Sequence, residues 1–217
     1  MKKFAVVLSG CGVFDGAEIH EATLTLLAIA QQGASYEIFA PDINQHHVIN
    51  HYTHQEMPEK RNILVESARI ARGKIKPLSQ FRSPDFDAII FPGGFGAAKN
   101  LSTVAFDGPN ARVNADVEAA VIAMHKAGKP IGALCIAPAV IARILGNVEV
   151  TIGNDPGTVA VIEKMGGKHI KATHGEVVVD KKNKVFTTPC YMLDATIVQI
   201  YEGATNVVRE MIKTLGL

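Results

Sequence analysis

Nowhere does the sequence hold a run of about 18 or more apolar residues, so no transmembrane helix is expected. Blocks of like charge are also missing. The 22 basic and 21 acidic residues are mixed along the chain and leave a formal charge of +1, which gives no electrostatic footprint for DNA, RNA or an anionic membrane. The opening Met1-Lys2-Lys3 precedes only a short apolar stretch before Ser9-Gly10-Cys11-Gly12, so no signal-peptide core is expected. Cysteine is scarce: Cys11, Cys135 and Cys190 are odd in number and lack CxxC spacing, which argues against a disulfide framework and fits a reducing, cytoplasmic setting. No repeat or low-complexity linker interrupts the 217 residues, and a chain of that length can bury a full core without a disulfide or a structural metal. One domain over 1–217 is expected.

What is present is an alternation of short apolar runs with helical patterns. Phe4 to Leu8 is uniformly apolar and closed by Ser9-Gly10, as a strand buried on both faces requires. From Glu18 to Gln32 the apolar residues Ile19, Ala22, Leu26, Leu27 and Ala30 fall at helical spacing, with Gly33 as a C-terminal stop. Further strands are expected over Tyr36–Ala40, Asp87–Phe91 and Pro130–Leu134, with a helix from about Arg112 to Lys126. Near the end, Glu176–Val179 and Lys184–Thr187 flank the turn Asp180-Lys-Lys-Asn183 and read as an antiparallel hairpin before a helix near Asp194 to Thr214. The pattern predicts an α/β doubly wound, mostly parallel sheet with an antiparallel hairpin on its C-terminal side. Asp42 to Pro84, with a helix over Arg61–Arg72, reads as an insertion between strands.

Cys135 stands at the meeting of an apolar strand and an apolar helix-forming run, Ile136 to Leu145, whose Pro138 suits a first turn. A side chain on so sharp a turn needs small residues two positions away, and Ala133 and Ala137 occupy them, in the manner of a nucleophile elbow. The following helix would aim free N–H groups and the positive end of its dipole at the sulfur, favouring thiolate. A buried inert cysteine is the competing reading.

Three segments together carry a resemblance: Cys135 in its elbow, the run Phe91-Pro-Gly-Gly-Phe-Gly-Ala-Ala-Lys-Asn-Leu101, and Ser9-Gly-Cys-Gly-Val-Phe-Asp-Gly-Ala-Glu-Ile-His-Glu21. The chain resembles the class I glutamine amidotransferase-like superfamily, in its branch of PfpI-type proteases, parkinsonism-associated deglycases and glutathione-independent glyoxalases. The long segment after Asp42 and the glycine-rich first turn are most similar to its enhancing lycopene biosynthesis protein (ElbB) subfamily. The resemblance implies a flavodoxin-like three-layer sandwich, usually dimeric, with the cysteine facing a glutamate of the first helix. Glu21 falls where that glutamate is expected, and Glu18, one turn earlier, is the fallback. It also implies an oxyanion hole from the N–H groups of Gly94 and Ile136, where glycine would let the backbone approach an oxygen gaining negative charge.

A Cys-His-Glu triad, which glutamine amidotransferases need, has no clear histidine here. His174-Gly175-Glu176 has the familiar spacing but precedes the hairpin, and after Thr187-Thr-Pro189 come Cys190 and Tyr191 instead. No histidine stands near Gly153 to Asp155 either, where PfpI-type relatives usually place theirs. His46, His47, His51 and His54 lack an acidic or thiol partner at ligand spacing, so no metal is expected. Gly10, Gly12 and Gly16 follow the first strand, but one residue too many separates the last two for a dinucleotide fingerprint. Cys11 has no helix immediately after it, and Cys190 reads as packing.

The expected chemistry is therefore cofactor-free. A thiolate without a histidine adds to an aldehyde, which needs no leaving group. A small 2-oxoaldehyde would give a hemithioacetal at Cys135, and Glu21 would move a proton through an enediol to a thioester that water hydrolyses to a 2-hydroxy acid. Glu21 has two parts to play, protonated beside the sulfur and ionised as base. Repair of early aldehyde adducts on proteins uses the same addition. The competing readings are a redox sensor oxidised at Cys135 and an amidotransferase or hydrolase using Cys135 with His174.

Overall fold

The computed structural model describes residues 1–216. A seven-stranded sheet is built from β1 (Lys3–Val7) and β2 (Ser35–Ala40) onward. Between them lies α1 (Ile19–Gln31), ended by Gly33 in the left-handed region at φ 69°. The short pair β3 (Val48–Ile49) and β4 (Glu56–Met57) and the helix α2 (Ile63–Ile70) precede the edge strand β5 (Ile75–Pro77). Next come β6 (Ala88–Phe91), α3 (Phe95–Lys99), α4 (Val104–Asp107), α5 (Ala115–Lys126), β7 (Ile131–Leu134) and α6 (Ala137–Leu145). A small parallel pair, β8 (Glu149–Val150) and β9 (Lys168–His169), is bridged by α7 (Pro156–Lys164). The hairpin β10 (Val178–Asp180) and β11 (Val185–Thr188) and the long α8 (Ile197–Thr214) complete the chain.

The strand order is β10-β11-β7-β6-β1-β2-β5, parallel throughout except for β10 against β11. This is the doubly wound, mostly parallel sheet expected from the alternating pattern, in the flavodoxin-like form that the resemblance implied. The segment read as an insertion contributes β5 to the sheet, pairing Ile38 with Ile75. Sequence inspection missed that strand because three residues, one of them the exposed Lys76, carry too little hydrophobic pattern.

Alternation along the central strand divides the core in two. Phe4, Val6 and Leu8 face α1 and α8, whereas Ala5 and Val7 face the side covered by α5 and α6. With both faces covered, β1, β6 and β7 must be apolar at nearly every position, and they are. After β1 the chain moves outward to β2 and β5, then returns to the other side of β1 with β6. The strand order therefore reverses at β1 and β6, and a crevice opens at the carboxyl ends of such strands. The loops after β1, β6 and β7 converge there.

Candidate active site

Cys135 occupies the turn between β7 and α6 with φ 62°, left-handed backbone that a non-glycine residue adopts only when its surroundings enforce it. Pairing enforces it here: Leu134 is in register with Thr188, and the Cys135 N–H donates to the Thr188 carbonyl at 3.0 Å. The side chain is buried, at 6% exposure. The N–H groups of Gly94 and Ile136, the two backbone groups named from sequence, both favour negative charge on its sulfur.

Glu21 reaches the same place from the first turn of α1 and is wholly buried. Its Oε2 accepts from the Gly93 N–H at 2.9 Å and its Oε1 accepts from the Tyr191 N–H at 3.2 Å, and the Cys135 thiol lies close enough to act on the carboxyl group. Burial, and then the negative charge of Glu18, push its pKa up to about 8, against the pull of the Tyr191, Cys135 and Gly93 bonds. Glu18 is the N-cap of α1: its Oε2 accepts the Glu21 N–H at 2.7 Å, which fixes the turn carrying Glu21. As the cap it orients Glu21, and its charge polarises that carboxyl group.

The thiol itself departs from the expectation of a resting thiolate. Burial, and then the Glu21 carboxylate, push the Cys135 pKa well above its ordinary value, and the Gly94 and Ile136 N–H groups offset only part of this. A helix N-terminus is therefore outweighed by desolvation at this depth. Glu21 repels the thiolate only while it is itself ionised. At neutral pH both groups therefore mostly keep their protons, and as Glu21 ionises towards pH 8 its carboxylate becomes a base beside the thiol; transfer of the thiol proton to it is the chemistry the arrangement offers.

Two glycines make room for this. A Cβ on Gly93 would overlap the Cys135 Cβ and would lie 2.6 Å from the Glu21 Oε2. Gly94, at φ 94°, has the Glu18 nitrogen and Gly16 carbonyl where a Cβ would stand. Gly16 in turn packs its backbone on Gly10 and Cys11, so the glycine-rich turn after β1 serves close packing against the Pro92-Gly93-Gly94 turn.

His174 is placed elsewhere. It lies in the loop before β10, which β11 separates from β7, and it lines a groove of about 620 Å³ with Lys171, Glu176 and Met192 among others. It is not among the groups that shift the Cys135 thiol. Among the described residues, no three His, Cys, Asp or Glu side chains converge as a metal site. The His47 Nε2 lies 3.0 Å from the Lys99 Nζ, and the His51 Nε2 accepts from the Phe14 N–H at 3.2 Å. Cys11 is part-exposed in the first turn; burial, then Glu66, raise its pKa.

Sequence reasoning missed Gly93 and Tyr191, while Cys190, read as packing, is indeed buried in the core. Tyr191 follows β11 in a short turn, Cys190–Met192, in which Cys190 also has positive φ, 45°. Cys190 is buried near Gly203 of α8, and its thiol is pushed up by burial and then by Glu21 and Cys135. The signal that could have revealed this turn is the apolar Val185-Phe186 run ending in Thr187-Thr188-Pro189, parallel in kind to the run ending at Cys135.

No protein-family model matches the chain. It is 48% identical over 224 residues to human glutamine amidotransferase-like class 1 domain-containing protein 3, mitochondrial, an alignment covering 99% of this chain and 84% of that protein. Among solved structures, an isoprenoid biosynthesis protein with amidotransferase-like domain from Ehrlichia chaffeensis superposes with a TM-score of 0.93 at 38% identity, over 99% of this chain and 100% of that one. Glyoxalase III from Candida albicans shares the fold at a TM-score of 0.64 and 16% identity, over 98% and 96% of the two chains.

Proposed function

The chain belongs to the family of ES1 and glutamine amidotransferase-like class 1 domain-containing protein 3, within the DJ-1/PfpI class I glutamine amidotransferase-like superfamily, and we propose that it is a cofactor-independent glyoxalase acting through Cys135 and Glu21. The observation that carries this reading is a buried thiol beside a buried carboxyl group whose pKa is pushed up to about 8, with the Gly94 and Ile136 N–H groups favouring negative charge at the sulfur. The Candida glyoxalase III shows that the fold hosts such an activity in another protein.

In the proposed reaction, ionised Glu21 accepts the thiol proton as sulfur bonds to the aldehyde carbon. The carbonyl oxygen gains negative charge beside the Gly94 and Ile136 N–H groups and then takes the proton back from Glu21, giving a hemithioacetal. Glu21 next removes the hydrogen on that carbon as a proton. Its delivery to the neighbouring carbon through an enediol leaves a thioester, with no net oxidation of the protein. Water cleaves the thioester, releasing a 2-hydroxy acid and the thiol. A pKa of about 8 suits these repeated transfers, because a base works best when its pKa lies near the operating pH.

Addition to aldehyde adducts on proteins is the same first step, so deglycase activity stands within the proposal. We place the protein beside the enhancing lycopene biosynthesis proteins, in keeping with the name of its Ehrlichia neighbour. A small aldehyde is the proposed substrate and a homodimer the proposed assembly. The cysteines are all free, which suits a thiol-reducing compartment, whether the cytoplasm or the mitochondrion named for the human relative. No described helix is long and apolar enough to cross a membrane. The test is turnover of glyoxal or methylglyoxal by purified protein without glutathione, with Cys135→Ala inactive. Uptake of oxygen at Cys135 from peroxide with no aldehyde turnover would favour a redox sensor instead.

A further inference from the structure

Glu21 is held from three directions, and one of the three leads to the surface. Its Oε1 accepts the backbone N–H of Tyr191, at 3.2 Å. The hydroxyl of that same tyrosine lies 2.9 Å from the Nδ1 of His20, the residue immediately before Glu21 on α1. The two rings lie 5.9 Å apart between centroids and tilted at 48°, so they touch over little area and the hydroxyl–imidazole bond is their main link. His20 is exposed and Tyr191 half-buried, which puts the pair on the solvent side of a carboxyl group that is itself fully buried. The turn bearing Tyr191 is anchored in the core through Cys190 and Met192, whereas the Tyr191 hydroxyl reaches outward to His20. Met192 and Leu193 donate back to Pro189 and Cys190 within the turn, and the strained φ of Cys190 leaves the segment with little preference of its own for this shape.

We propose that His20 and Tyr191 are a positioning pair for Glu21, in which the imidazole pins the phenol to α1 and thereby keeps the Tyr191 N–H on the carboxylate. A closed loop results, running from His20 along one peptide to Glu21, across to the Tyr191 backbone, out along its side chain and back. An asparagine at position 20 can offer its Oδ1 near the Nδ1 position, so the role needs an acceptor there and not an imidazole as such. Losing the Tyr191 bond would leave ionised Glu21 with one donor fewer, and the carboxyl would titrate at higher pH. The groups facing Glu21 are Glu18 on its own helix, the Cys135 thiol from the β7–α6 turn, the Cys190 thiol and Tyr191 from the turn after β11, and the Gly93 N–H after β6. All but Tyr191 are unchanged by the substitutions below.

This inference rests on the proposed use of Glu21 as base, so it is tested by two readouts, one of which needs no aldehyde. His20→Ala, His20→Asn and Tyr191→Phe are compared with wild type by glyoxal turnover and by the pH profile of iodoacetamide labelling at Cys135, after melting curves confirm the fold. His20→Ala and Tyr191→Phe are expected to lower kcat roughly 5- to 10-fold at neutral pH with KM little changed, and to move the labelling profile down by about half to one pH unit, because a carboxyl that stays protonated to higher pH no longer repels the thiolate there. His20→Asn should stay close to wild type, and His20→Ala combined with Tyr191→Phe should cost no more than either alone. Wild type that labels at Cys135 but turns over no aldehyde would sink the glyoxalase reading, and the labelling profiles would still decide on the pair. Labelling profiles of His20→Ala and Tyr191→Phe that coincide with wild type, or additive losses in the double variant, would overturn the proposal.

Discussion

Replacing Glu21 by glutamine should take away activity and, in alkaline solution, give back stability. In wild type the carboxyl pKa rises from its ordinary 4.5 to about 8, first because it is buried and second because Glu18 lies close. The folded protein thus keeps a proton that the unfolded chain loses above pH 4.5. The associated stability is fully present below that pH and is lost as pH climbs through 8. At about 1.4 kcal/mol per pH unit, ionised Glu21 costs the fold roughly 5 kcal/mol in the alkaline limit, and roughly 2 to 3 kcal/mol of this falls between about pH 6 and 9. Glutamine cannot ionise. Its amide nitrogen must oppose one of the two backbone donors, an offset of about 1 to 3 kcal/mol that does not vary with pH. For a chain of this size, the wild-type melting temperature should therefore fall relative to Glu21→Gln by roughly 5 to 10 °C over that pH range. Scanning calorimetry of both proteins in matched buffers measures this, because all other titrating groups are common to the two. Parallel curves would show that Glu21 titrates normally and would refute the buried proton.

Further outcomes follow from the same geometry. The kcat/KM for glyoxal should rise about tenfold per unit from pH 6 to 7 and level off near pH 8, since the ionised carboxyl is the active form; a flat or falling profile would exclude Glu21 as base. Cys135→Ala should abolish turnover while keeping a folded protein, as circular dichroism and a coupled hydroxy-acid assay would report. Gly93→Ala should destabilise by about 1 to 3 kcal/mol and inactivate, because the new methyl overlaps the Cys135 Cβ; denaturant unfolding with wild-type stability would contradict that packing. His174→Ala should leave turnover within about twofold, and a loss of 100-fold or more would restore a histidine-assisted mechanism.

Much of this arrangement was legible from residue order. Strands buried on both faces announce themselves as unbroken apolar runs, and the Pro-Gly-Gly turn and the elbow at Cys135 mark where two of them end. What could not be read is what arises only when distant segments meet. Tyr191 contributes to the site through its backbone N–H, a group every residue but proline possesses, so its identity carried no signal. The raised thiol pKa follows from burial depth, which local helix logic does not contain. The edge strand β5 is too short to show periodicity, and α7 with its flanking strands falls where Gly and charged residues blur the pattern.

Peptide mapping of protein mixed with saturating glyoxal and quenched in acid, where thioesters survive, tests the chemistry most directly. The Cys135 peptide should carry the mass of one added glyoxal during turnover, lose it once substrate is exhausted, and never carry it in Cys135→Ala. Steady turnover with Cys135 unmodified, or an adduct confined to Cys11, would contradict catalysis through the buried thiol.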